Sequence, residues 1–383
     1  MSFGWTGRKR LLTAFRGGVP DRVPVNTYEI AARDSRDWYA RQPSYRRLLE
    51  FIREHTDAVT NWNPKATSEL YISSERFLSS DYPLEIETRT EADGRVRRTT
   101  RIAHTPKGDL RSATVEDPEV FTTWQVEHWC KSVEDVDRAL SVPYEPAAYD
   151  ASDLPRVLEE LGEGGIVMAS IADPAYAAAD LMSFEDFLVW AYEETEHFAR
   201  TVEIVAERVF ENLRRELDCC VLDAYRICGP EYFTPPYLPP EFFRRFVVPH
   251  VKRMVEMIHA RGALVRLHCH GRIGRVLDSI LETGCDGIDP CEPPPDGDVE
   301  LADLKRKCAP RGVSIWGNLE LRLLETASAE RVREEVRRIM EAAKEGGGLV
   351  VLPTAAPISA DLAPRTERNY RAFIETCLEL GEY

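Results

Sequence analysis

His268 and His270 stand one residue apart in the run Ala263-Leu264-Val265-Arg266-Leu267-His268-Cys269-His270-Gly271. Alternate side chains of a strand point the same way, so the two imidazoles share a face and Cys269 takes the other. Two imidazoles at a strand end can bind a metal, hold an anion or relay protons. They can also be polar residues at an edge. Asp223 and Tyr225 form a second pair with the same spacing, in Cys219-Cys220-Val221-Leu222-Asp223-Ala224-Tyr225. By the same alternation they share a face that could open onto a site, or Tyr225 could pack beneath the proline-rich loop that follows. Glu292 closes Gly287-Ile288-Asp289-Pro290-Cys291-Glu292 and offers an acid, a base or a metal ligand, against capping the next loop.

The elements around these residues set their geometry. Gly165 to Ile171 is a near-continuous apolar run, the pattern of a strand buried on both faces of a parallel sheet. Strands are expected near residues 25, 60, 168, 222, 266, 289, 316 and 351, with helical patterns between most of them. Eight such units in a chain of 383 residues predict a (β/α)8 TIM barrel. One stretch breaks the rhythm. Residues 84–90 and 95–102 alternate either side of Glu91-Ala92-Asp93-Gly94, an Asp-Gly hairpin signal, so 66–115 reads as an antiparallel insertion or lid within the single barrel domain. Barrel chemistry sits at the C-terminal ends of the strands. There the sequence offers Asn61 and Asn63, Asp173, Asp223 and Tyr225, His268 and His270, Glu292, Asn318 and Thr354. So many polar strand ends favour an enzyme over a structural barrel.

Composition narrows the partners. A net charge of −16 disfavours nucleic acid and anionic membrane, both of which repel an acidic surface. No window approaches 18 uninterrupted apolar residues, and the amino-terminal stretch has no apolar core of the secretory kind. The nine cysteines are irregularly spaced and form no CxxC pair, which fits reduced thiols in a cytoplasm.

In order along the chain, RKRLLTAFRGGVPDRVPV, LHCHG, SIWGNLE, EGGGLVVLP and PRTERNYRAFIE resemble segments of the uroporphyrinogen decarboxylase superfamily. The resemblance runs from about Arg8 to the C-terminus and implies the same (β/α)8 fold. LHCHG is similar to the His-x-Cys-Gly strand end of the methyltransferase branch. The arginine-rich, carboxylate-binding segment of the true decarboxylase is replaced here by Asn26-Thr27-Tyr28-Glu29-Ile30-Ala31-Ala32-Arg33, where only Arg33 could stand in and Glu29 would repel a carboxylate. Its Asp after the second strand is replaced by Asn61-Trp62-Asn63-Pro64, and its Gly-His-Gly turn by Ala355-Ala356-Pro357. Thiol-activating methyltransferases of the superfamily hold zinc through His-x-Cys and a later Cys. This chain has His268 and His270 in the first two places and Ala356 in the third, so a metal would need Glu292, Cys291 or Cys228 instead.

The resemblance therefore implies a cytoplasmic methyltransferase or demethylase acting on a small methylated substrate. A divalent metal, zinc first, would sit on His268 and His270, and cobalamin would enter only through a separate corrinoid protein. Glu292, Asp223 and Tyr225 are the catalytic candidates; Asn61, Asn63, Glu29 and Asn318 are the substrate-binding ones. A homodimer is a further expectation from the family. The alternatives are a decarboxylase-like lyase with His268 and Glu292 as acid and base, and a ligand-binding barrel without catalysis.

Overall fold

The computed structural model describes residues 4–66 and 80–383. Residues 67–79, part of the expected 66–115 insertion, lie outside the described residues. In chain order the strands are β1 (Ala58–Asn61), β2 (Lys65–Ala66), β3 (Ile86–Asp93), β4 (Val96–Thr105), β5 (Gly108–Glu116), β6 (Thr123–Glu127), β7 (Tyr149–Asp150), β8 (Gly165–Ala172), β9 (Ala224–Cys228), β10 (Leu264–Cys269), β11 (Gly287–Pro290), β12 (Ser314–Leu319) and β13 (Leu349–Pro353). Seven of them form one curled parallel sheet in the order β1-β8-β9-β10-β11-β12-β13. Between its two edges runs the segment of Val25. Val25 bridges Val351 in parallel, the Val351 amide donates to the Pro24 carbonyl at 3.0 Å, and the Asp57 amide donates to the Val25 carbonyl at 2.7 Å. The eighth staff of the barrel is thus a short bridged segment rather than a full strand, and the fold is a TIM barrel.

The strands are apolar because helices cover their outer faces. β8, β10, β12 and β13 are buried almost throughout. The longest helix, Thr195–Cys219, turns Val202, Val205, Val209 and Leu213 onto the sheet. This helix also corrects an expectation. Cys219 ends it, and the next strand begins at Ala224 rather than at Cys219. The apolar run Cys219 to Leu222 belongs to the helix end and the turn.

The expected hairpin is present as β3 and β4, paired antiparallel with Asp93 opposite Val96 across the Asp-Gly turn. β5 and β6 extend it to a four-stranded sheet that reaches Glu127, past residue 115. Among the described residues, no helix is long and apolar enough to cross a membrane.

Candidate active site

Inward-facing residues of three adjacent strands meet in register. Arg226 of β9 lies beside Arg266 of β10, and His268 of β10 lies beside Asp289 of β11. By alternation Arg226, Arg266, His268 and Asp289 all enter the barrel. Asp289 is fully buried at the centre of the group. Its Oδ2 lies 3.0 Å from His268 Nδ1, and its Oδ1 lies 3.0 Å from Arg266 Nε. The Arg266–Asp289 contact is a close ion pair whose N–H does not point along a hydrogen bond. Arg226 Nε is 3.8 Å from Asp289 Oδ2. Burial would raise the Asp289 pKa, but Arg266, His268 and Arg226 outweigh it and hold the carboxyl well below its usual range.

An ionised Asp289 is acceptor-only, so His268 donates its Nδ1–H and its Nε2 is the free nitrogen. Burial and the Arg226 charge push the His268 pKa down to about 3, leaving the imidazole neutral at ordinary pH. His270 sits with its ring centroid 4.4 Å from that of His268, the planes perpendicular. Its Nδ1 lies 2.6 Å from Glu292 Oε1, while Glu292 Oε2 accepts from the Gly271 amide. Burial lowers the His270 pKa, but the Glu292 hydrogen bond and charge reverse this, and the net direction is up. Each imidazole is therefore pinned through Nδ1 by its own carboxylate, with Nε2 left to act.

Above them, Arg226 Nη2 donates to the Tyr28 hydroxyl at 2.7 Å, and Arg226 Nη1 is 4.0 Å from Glu29 Oε1. Burial raises the Glu29 pKa, against the pull of Arg226 and His270. Glu231 follows β9 and has one buried carboxylate oxygen without a hydrogen-bond partner. A cleft of about 560 Å³ opens over this floor, lined by Glu29, Asn61, Trp62, Asn63, Ser170 and Arg226 among others.

The sequence-level candidates divide between this mouth and elsewhere. Glu29, Asn61 and Asn63 line the cleft. His268, His270 and Glu292 lie on the strand floor with Asp289 and are not part of the cleft's lining. Glu292 acts as the partner of His270, with both oxygens engaged. Asn63 borders the cleft, but its amide is occupied by the Ser170 backbone and Glu216 Oε1, each at 3.1 Å. Asn318 is buried and donates to the Cys291 carbonyl at 3.0 Å, steadying the chain just before Glu292. Beside it Gly317 admits no side chain, since a Cβ would stand 2.2 Å from the Pro290 carbonyl oxygen.

Asp223 and Tyr225 do not belong to the mouth. Asp223 precedes β9, pairs with Arg8 of the Gly7–Phe15 helix and accepts from the Val167 amide, at the opposite end of the barrel. Tyr225 faces away from the barrel interior, its hydroxyl 3.4 Å from the Cys220 carbonyl. The later start of β9 is the cause of both. Sequence reasoning missed Arg226, Arg266, Asp289 and Tyr28. A signal existed for the arginines: each stands alone inside an apolar strand, in Ala-Tyr-Arg-Ile-Cys and Leu-Val-Arg-Leu-His-Cys.

The donor set bears on whether a metal fits. Two imidazoles oriented through Nδ1 by carboxylates have the arrangement that prepares histidines as ligands. The third donor is the difficulty. Glu292 is occupied, the Cys291 thiol lies 3.6 Å from the Ile288 carbonyl, and Ala356 is buried without a donor. Among the described residues, no group of three His, Cys, Asp or Glu side chains is placed to hold an ion. The residues fit a two-histidine site and not a three-ligand zinc site.

A family model of uroporphyrinogen decarboxylase (URO-D) matches residues 121–379, more than half of the chain. The chain belongs to the URO-D family. Curated URO-D relatives from Shewanella loihica and Thioalkalivibrio sulfidiphilus are 32% identical over 111 residues and 33% identical over 117 residues. Those matches cover 28% and 30% of this chain and 29% and 31% of the relatives, less than a third of their length. A solved methyltransferase from Methanosarcina mazei is similar in fold over nearly its whole length. That likeness covers 98% of this chain and 99% of the other, with a TM-score of 0.61 and 16% identity. URO-D family members are enzymes, and this chain shares their barrel.

Proposed function

We propose that this URO-D family member transfers a methyl group from a small methylated substrate bound in the barrel mouth, with a separate corrinoid protein as methyl acceptor. The observation that carries the reading is the His268/His270 pair, each ring fixed at Nδ1 by a carboxylate with Nε2 free. In this proposal His268 and His270 also take up a divalent ion, zinc first, completed by water or substrate. When bound, such an ion supplies Lewis-acid polarisation of the heteroatom that releases the methyl group.

The chain's own residues do the positioning. Asp289 and Glu292 fix the tautomer and plane of the two imidazoles. Tyr28, held by Arg226, and Glu29 border the substrate's path, while Trp62 supplies apolar wall. Phe121, between β5 and β6, lines the same cleft and brings the edge of the inserted sheet to it. Metal analysis of purified protein tests the metal component: about one ion per chain, lost in both His268→Ala and His270→Ala, supports it. Protein that takes up no added zinc or cobalt would remove the metal from the reading.

A further inference from the structure

Of the nine cysteines, eight are buried or half-buried. Cys219 is the exposed one, and its neighbour in the chain is the half-buried Cys220. The pair stands where the helix Thr195–Cys219 runs out. Cys219 is its last residue, and Cys220 turns the backbone to an extended φ of −157° and ψ of 154°. Both backbone groups of Cys220 are tied down, its amide donating to the Glu216 carbonyl at 3.0 Å and its carbonyl lying 3.4 Å from the Tyr225 hydroxyl. The Cys219 sulfur is 3.6 Å from the Tyr149 carbonyl, and the two thiols are in hydrogen-bonding contact with each other. Burial pushes the Cys220 thiol up to about 12, so it stays protonated. A fixed backbone thus presents two sulfurs side by side, which makes a second bond to one shared atom effectively intramolecular.

We propose that Cys219 and Cys220 form a two-thiol capture site for trivalent arsenicals of the arsenoxide class. The exposed Cys219 bonds first and Cys220 closes the ring. Sulfurs from adjacent residues subtend a narrow angle at a shared atom, which suits the pyramidal bonding of trivalent arsenic. A linear, two-coordinate soft cation needs its sulfurs on opposite sides. The step balances without oxidation or reduction. Each thiol exchanges its S–H bond for an S–As bond, the two protons leave with the arsenoxide oxygen as one water, and arsenic stays trivalent. Cys228, the other half-buried thiol, has no adjacent cysteine, and its sulfur lies 3.9 Å from the Arg226 carbonyl. The site uses none of the residues at the barrel mouth, and its test requires neither metal nor methyl transfer.

Stoichiometric phenylarsine oxide added to the folded, reduced full chain, followed by intact mass spectrometry, tests the site. One phenylarsenic group per chain is expected, resistant to excess 2-mercaptoethanol and released by 2,3-dimercaptopropanol. Cleavage after Arg215 and Arg226 leaves both cysteines, and no other, in the peptide 216–226, which should carry the group. Cys219→Ser and Cys220→Ser are each expected to weaken capture on the order of a hundredfold, because a single thiol loses the intramolecular second bond. Cys228→Ser should leave it unchanged. No adduct on the folded native chain overturns the proposal, as does an adduct on another peptide or full capture in Cys219→Ser. An adduct that 2-mercaptoethanol strips as readily from the native chain as from Cys219→Ser overturns it too, since that is attachment through one thiol. If Cys220→Ser does not fold, Cys219→Ser, at the exposed position, still decides.

Discussion

Replacing Asp289 by Ala removes the one carboxylate that serves Arg226, Arg266 and His268 together. Its side chain is completely enclosed, so its removal leaves the surviving charges away from bulk solvent. Breaking a buried pair by deleting one partner costs about 3–5 kcal/mol, chiefly because the survivor stays charged and buried. Here two guanidiniums survive, so the upper part of that range is expected for Asp289→Ala. The cost should be partly an orphan cost, and a double-mutant cycle separates it. Arg266→Met in the Asp289→Ala background removes one of the orphaned charges and should restore about 1 kcal/mol or more. In the native background the same Arg266→Met should destabilise. Urea unfolding of the four proteins, monitored by far-ultraviolet circular dichroism, supplies the comparison. An Asp289→Ala protein within about 0.5 kcal/mol of native would refute the buried-charge reasoning. Strict additivity of the two changes would do so as well.

Other expectations follow from individual residues. Asp173 is fully buried and its pKa is pushed up to about 7 by burial, with one oxygen unpartnered. Because the folded value is raised, its protonated form contributes stability that is full below about pH 3.8 and lost as pH rises through about 7. Asp173→Asn keeps an acceptor for the Ala175 and Tyr176 amides, so between pH 4 and pH 8 the native chain should lose stability relative to it by up to about 4 kcal/mol. Parallel pH curves for the two proteins would contradict this. Glu292→Gln frees His270 to reorient and should weaken zinc uptake by about 10–100-fold, read by competition with a chromogenic chelator. Unchanged affinity would mean that Glu292 does not orient the ring. Asp223→Asn should lower stability by loosening Arg8 while leaving zinc uptake unchanged, since both residues lie at the far end of the barrel. Weakened zinc uptake in a folded variant would place Asp223 back in the site.

The barrel was legible in the sequence because its strands are short apolar runs flanked by turn residues, and most of these runs became strands. Where the reading slipped, apolar character alone misled it. Cys219-Cys220-Val221-Leu222 is as apolar as a strand, yet Cys219 ends a helix whose inner face is also apolar and the next three residues form the turn after it. That slip moved the register of β9 and sent Asp223 and Tyr225 to the wrong end. The histidine pair was visible because a one-residue spacing fixes a shared face. Asp289 was hidden within Gly-Ile-Asp-Pro, since its importance comes from standing opposite His268 on the neighbouring strand. Sequence spacing does not carry such cross-strand register. Tyr28 is further still, reaching Arg226 from the other side of the mouth.

Methyl transfer at the end of β10 is the central claim, and the acceptor reports it directly. Cob(I)alamin is incubated with the protein and a panel of methyl-labelled methoxybenzoates and methylamines, and methylcobalamin formation is followed by absorbance and label. The account predicts labelled methylcobalamin with the native chain and none with His268→Ala or His270→Ala. Carbon dioxide release from uroporphyrinogen, without methyl transfer from any donor, would contradict it.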